Sequence, residues 1–362
     1  MGTQKLEPFS AEISPAEALS EQLKLTSFFE NLDPTGPLSP IDRYLENTNR
    51  LNKILLDNRS QYTNELGTLL LLGYVSAVES YLRGIIRGLV QVDECVARLV
   101  SPLQVTYFAA LHHEKTLLPE ALLEGVSFIS QANISKTLKE FCGISGMGDG
   151  SVPKSLEPIF QKYNQICQLR HCCVHRFGLL GADNARRLNL PANYLEKPIT
   201  ILPPAIEEVS IILEKFVSSL NSYIYTDVLQ RSLWLSKSIH TNPEIKYIST
   251  WNLDFLQDET RFARYYDLFA ITKSQPSSPS LWEEYNGFLA WAKGSIATDT
   301  IMIRNKLAKK PEKTAKPDTP LAGTAQQTRS EAVRNAEPAI HDDKFKDLPP
   351  AAADILAAAA AE

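Results

Sequence analysis

The sequence predicts an all-α fold, and three observations carry that expectation. Long segments repeat apolar residues at three- and four-residue steps, the period of one helix face. Those segments open on capping signals such as Ser39-Pro40-Ile41-Asp42, a serine cap with proline in the first turn and an acid soon after. No alternating run with a hairpin turn and no internal repeat interrupts them.

Residues 1–37 read as an N-terminal extension with one weak helix near Pro15–Asn31, closed by the turn cluster Asp33-Pro34-Thr35-Gly36-Pro37. A helix is expected from Ser39 to about Asn58. A long second helix is expected near Gln61–Val92. Its inward face is read as Leu66, Leu69, Leu70, Tyr74, Val78, Tyr81, Leu82, Ile85, Ile86 and Leu89. Glu79, Arg83 and Arg87 form a polar ladder along it at four-residue steps. Residues 93–130 read as one or two shorter helices, Asn133–Cys142 as a short helix, and Gly143–Gly150 as a loop. Lys154–His175 is the next helix, ended by Gly178 and Gly181, with core candidates from Leu156 to Val174. A polar connector holding Arg186 and Arg187 leads to a last long helix near Pro204–Ser236.

These segments form one helical domain over residues 38–240. Residues 241–308, rich in Trp and other aromatics, read as a small helical module. Residues 309–362 read as a low-complexity tail, too poor in large apolar side chains to offset the entropy of ordering. Within it the alanine-rich segment Ala351–Glu362 could form a short helix that docks on a partner.

Composition narrows the function classes. Hydrophobic residues make up 44%, ordinary for a globular chain, and the net charge of −5 supplies no global field for nucleic acid. Any RNA contact must therefore be a local patch. The five cysteines are odd in number and two are adjacent, which argues against a disulfide framework and for a reducing compartment. The N-terminus carries no apolar signal core, and the uncharged stretch Leu66–Val78 is short for a bilayer. A cytoplasmic chain with no membrane span is expected.

Chemistry concentrates in Arg170-His171-Cys172-Cys173-Val174-His175-Arg176-Phe177-Gly178, which holds two of the chain's six histidines. A guanidinium is a fixed fork of donors that fits a phosphate. An imidazole moves protons near neutral pH. On a helix His171 and His175 share a face, about 40° apart, whereas Arg170 lies about 140° from His175. Cleavage of RNA needs a base for the ribose 2′-hydroxyl, an acid for the leaving 5′-oxygen and a cation for the phosphorane. One histidine cannot be both acid and base at one instant, so either two histidines act or two subunits each supply one. From spacing alone, a helix end with basic residues favoured by its dipole is the better fit.

The segment resembles the signature of the HEPN superfamily: an Arg, then a polar residue, then a His a few residues on. Ala77-Val78-Glu79-Ser80-Tyr81-Leu82-Arg83 is similar to the second-helix segment of that superfamily, where an acidic residue points to the active site. The resemblance covers roughly residues 39–238. It implies a helix bundle, commonly a homodimer with its motifs meeting at the interface. It also implies an endoribonuclease of a toxin or antiphage defence system that needs neither metal nor cofactor. Under it Arg170 binds the scissile phosphate, His175 transfers protons, His171 orients the site and Glu79 positions Arg170 or His175. Arg83, Arg176, Arg186, Arg187 and Lys197 are the candidates for binding RNA.

Other readings stand beside this one. His171, Cys172, Cys173 and His175 could hold zinc, but adjacent cysteines on a helix point about 100° apart. His112-His113-Glu114 lacks a second histidine at metalloprotease spacing, and the 143–150 loop lacks the Lys of a phosphate-binding loop. The aromatics of 251–291 could stack bases, form a module core or dock a protein partner. The alternative function is a non-catalytic scaffold in a larger defence or regulatory complex.

Overall fold

The computed structural model describes residues 23–29, 38–114, 117–233 and 250–308, with side chains to residue 298. It is all-α, as the periodicity predicts. Among the described residues the only strand-like pairings are the isolated bridges Gly148–Ser151 and Leu179–Pro198. The expected N-terminal helix, its turn cluster and the low-complexity tail lie outside the described residues, apart from a single 3-10 turn at Leu25–Phe28.

Helix α1 (Pro40–Asp57) starts where the capping signal lies: the Ser39 hydroxyl accepts the Asp42 N–H at 3.1 Å. That cap also holds a distant segment. The Ser39 hydroxyl donates to the Ala270 carbonyl, and the buried Asp42 carboxylate accepts the N–H groups of Thr272 and Lys273.

Helix α2 (Asn64–Val92) is the axis of the molecule, packed against α1 and against helices named below. Its buried arc is wider than expected and adds Leu71, Val75 and Ala77. Leu69, expected inside, is 65% exposed. It stands nine residues from the fully buried Val78, about 180° round the axis. By length and composition α2 could cross a membrane, yet more than half of its most apolar window is covered by the rest of the fold. Gly67 has a steric reason: a Cβ there would lie 2.7 Å from the Ile201 carbonyl.

The segment after α2 folds as α3 (Glu94–Val100), α4 (Tyr107–His112) and α5 (Leu118–Ala121), followed by α6 (Gln131–Cys142). Helix α7 (Glu157–Arg176) lies against α2, α6 and α8 (Ala182–Arg187), and against the long α9 (Pro203–Ser232). The helices α10 (Phe255–Phe269) and α11 (Leu281–Ala308) complete the described chain.

The aromatic segment shares one core with the bundle rather than standing apart from it. Helix α10 packs on α1, α2 and α9, and Trp251, Phe262, Tyr265, Tyr285 and Phe288 belong to the same buried cluster as α2. The Trp251 indole donates to the Ser232 hydroxyl at 3.0 Å. The buried Asp258 carboxylate organises the entry to α10, accepting the N–H groups of Asn252 and Leu253 and the Tyr285 hydroxyl. Most of these aromatics are therefore core.

Candidate functional site

The site is the C-terminal half of α7, and its construction follows from helical geometry. Tyr163 and Cys167 are buried, Tyr163 stacked on Phe216 of α9 at 4.3 Å, and the stripe they begin continues into Arg170, His171 and Val174. Here the helix outruns its cover. Arg170 is half-buried, His171 and His175 are exposed, and Val174, expected in the core, is 45% exposed.

The end of α7 is abrupt. Phe177 takes a left-handed conformation at φ 50°, and Gly178 follows at φ 89°. The N–H groups of both donate to the Cys172 carbonyl, so the last turn closes on itself. Gly178 was the expected stop, and Phe177 turns first. Residues 178–199 then make a closed excursion, tied at its neck by the Ile199 N–H donating to the Gly178 carbonyl and the Glu196 N–H donating to the Leu180 carbonyl. This excursion carries α8 alongside the end of α7, where the Asn184 amide donates to the Gln168 side chain at 2.9 Å.

The two imidazoles meet, with ring centroids of His171 and His175 4.4 Å apart. Partial burial holds His171 below the usual imidazole value, helped by the nearby charges of His175, Arg170 and Arg187 and opposed by Asp183. His171 thus stays neutral to lower pH than a free imidazole. The charges of Arg170 and Glu79 both act on the buried Cys167 and Tyr163. Burial pushes the Cys167 thiol up to about 12, with Glu79 adding to the rise and Arg170 opposing it. Glu79 and Arg170 thus both lie near these two groups, and they form no ion pair with each other within 4.0 Å.

Other candidates are drawn into separate duties. Arg83 stands in a clamp, donating to the carbonyls of Leu123 at 2.6 Å and Val126 at 2.7 Å and pairing with Glu120 at 3.4 Å. It is not part of the α7 patch, and the ladder expected along α2 gives way to this clamp and to Arg87 pairing with Glu120 at 3.6 Å. Backbone carbonyls of a neighbouring segment outbid a one-turn neighbour on the same helix, where an exposed pair contributes little. Arg176 holds both oxygens of Glu196 at 2.8 Å. Arg186 and Arg187 both pair with Asp183 at 2.6 Å. These exposed pairs are weak enough for a polyanion to displace. Lys197 lies over the Tyr194 ring.

Asp183 is the neighbour that sequence reasoning missed. Its signal was the spacing Asp183-x-x-Arg186-Arg187, which puts one carboxylate within a turn of two guanidiniums. The hydrogen bonds from Arg186 and Arg187 hold its carboxyl below the ordinary range.

The adjacent cysteines diverge. Cys173 joins the main core, while Cys172 packs with Leu180 and Ala185 in a small cluster beside α8. Neither can turn outward to join the imidazoles. Among the described residues no three His, Cys, Asp or Glu side chains gather as a metal would require. The His112 ring packs at a tilt of 49° against Phe108, 4.5 Å between centroids, at the end of α4.

No protein-family model matches the chain, and no curated protein or solved structure matches it.

Proposed function

We propose that this chain is an endoribonuclease that cleaves RNA by attack of the ribose 2′-hydroxyl, as its resemblance to the HEPN superfamily implies. The observation that carries the reading is the imidazole pair of His171 and His175, 4.4 Å apart on an open helix end, with the Arg170 charge close to His171. One imidazole takes the 2′-hydroxyl proton as the O2′–P bond forms. The other gives a proton to the 5′-oxygen as the P–O5′ bond breaks, leaving a 2′,3′-cyclic phosphate and a 5′-hydroxyl. The depressed proton affinity of His171 suits it to the base role, a shift from the orienting role that the resemblance assigns to it. Arg170 meets the phosphorane charge, and Glu79 takes the positioning role toward Arg170 or His175 that the resemblance assigns to it.

We further propose that two copies pair through this helix end. Phe177 is 95% exposed and Val174 nearly half exposed directly beside the histidines. Apolar side chains so placed favour cover by a second protein surface.

The test is incubation of the purified chain with total RNA, with and without EDTA, beside His175→Ala and Arg170→Ala. Cleavage to cyclic-phosphate ends that survives EDTA and falls at least a hundredfold in either variant is the expected result. Intact RNA with the wild-type chain, across cellular extracts as triggers, leaves the scaffold reading in its place.

A further inference from the structure

A second site lies where α9, α10 and α11 meet. Two adjoining cavities of about 330 and 210 Å³ open there, and both are lined by Tyr225, Thr226 and Glu284. The larger alone reaches the size at which small-molecule sites begin, roughly 300 Å³, and the two together lie well inside that range. Their chemistry differs. The larger has polar and apolar wall in similar measure, with Tyr266 and Phe269 beside the shared residues. The smaller is mostly carbon, walled by Phe288 and Trp291.

Three features describe what the pair would accept. No Lys, Arg or His lines either cavity, and Glu284 makes no ion pair among the described residues. The Tyr225 hydroxyl is enclosed and has no hydrogen-bond partner. Burial chiefly lifts the proton affinity of Tyr225, and Glu284 adds to the rise by its charge and by a hydrogen-bonding approach to the phenol that falls short of good geometry. Burial, and after it the charges of Glu284, Asp267 and Glu283, raise Tyr266 in the same direction, so carboxylates gather about the mouth. An enclosed phenol oxygen held only by a poorly aligned contact gains from a ligand that donates to it. An unpaired carboxylate beside aromatic faces attracts a cation.

We propose that this groove binds a small primary ammonium with an apolar body. The ammonium would donate to Glu284 and to the Tyr225 oxygen. Its hydrocarbon end would lie along Phe288 and Trp291. A neutral ligand would forgo the carboxylate, and a polyamine would bury a second charge against carbon. The assignment is independent of RNA cleavage.

Isothermal titration of the full chain with phenethylammonium chloride tests it, with 2-phenylethanol as the neutral counterpart. The expected result is one amine per chain, an alcohol at least tenfold weaker, and at least tenfold loss in Glu284→Gln. Equal affinity for alcohol and amine by the wild-type chain would overturn the proposal, whatever the variant does. So would the absence of heat at millimolar amine. Nα-acetyl-lysine methylamide carries the same ammonium on a peptide. Tighter binding of that compound would overturn the assignment to a free amine and point to a lysine side chain instead.

Discussion

At the scale of residues, the titration of His171 is the sharpest consequence of the site. Its neutral form is favoured by partial burial and by neighbouring cations. Its imidazole signal in NMR should therefore titrate below the ordinary value of 6.5. His175→Ala and Arg187→Gln each remove a charge that depresses it, so both should move the titration upward, whereas Asp183→Asn should move it down. The sign for stability follows: protonation is harder in the folded chain, so stability is lost as pH falls through 6.5 toward the folded value. If His171 is the base, the acidic limb of the pH–rate profile should lie below 6.5 and shift with Arg187→Gln in the same direction as the NMR titration. Phe177 offers a separate test. A non-glycine residue at φ 50° costs about 1 kcal/mol, and this one is almost fully exposed. Phe177→Gly should raise the monomer's unfolding free energy by up to ~1 kcal/mol. The same change should weaken the self-association proposed above, as read in sedimentation experiments. Unaltered sedimentation would remove Phe177 from the interface.

At the scale of elements, a few charged side chains fasten one segment to another. Arg83 on α2 holds residues 120–126 through two backbone carbonyls and Glu120. Arg83→Met should cost about 2–3 kcal/mol in denaturant unfolding, because charge-assisted bonds to buried carbonyls are lost. Hydrogen exchange should quicken in residues 117–128 before it does in α7. Cleavage of RNA should change little, since the α7 site is built elsewhere. Asp93 is a comparable fastener: 3% exposed, it caps α3 and pairs at 3.2 Å with Arg231 of α9. Arg231 in turn donates to the Cys142 carbonyl. Asp93→Ala leaves that guanidinium partly buried and unpaired, at a cost of about 3–5 kcal/mol measured by urea unfolding. An equal loss in Asp93→Asn would show that the charge matters more than the cap.

At the scale of the whole molecule, α2 carries one continuous core that runs from α1 through α9 into the aromatic segment. Removal of residues 250 onward should expose the α2 and α9 faces that α10 covers. Such a truncated chain should lose its cooperative thermal transition, and a retained sharp transition would show that the bundle stands alone. Much of the architecture was legible in the sequence because helix period and capping are local. The Ser39 cap, the span of α2 and the face shared by His171 and His175 all depend on neighbours within a few residues. Composition hid the rest. A run of aromatics reads as a module of its own, and only the packing of Phe262 and Tyr285 into the same cluster as α2 joins it to the bundle. The exposure of Val174 turned on where α7 outruns its neighbours, and no spacing records that. The fate of Arg83 turned on carbonyls some forty positions away. The sequence by itself determined the helices, their caps and the pairing of two imidazoles on one face, because each is a short-range property of the chain. Tertiary structure alone decided which arginines remain beside those imidazoles and which are taken up as fasteners. Partner carbonyls and carboxylates are brought within reach only by the closing of the core.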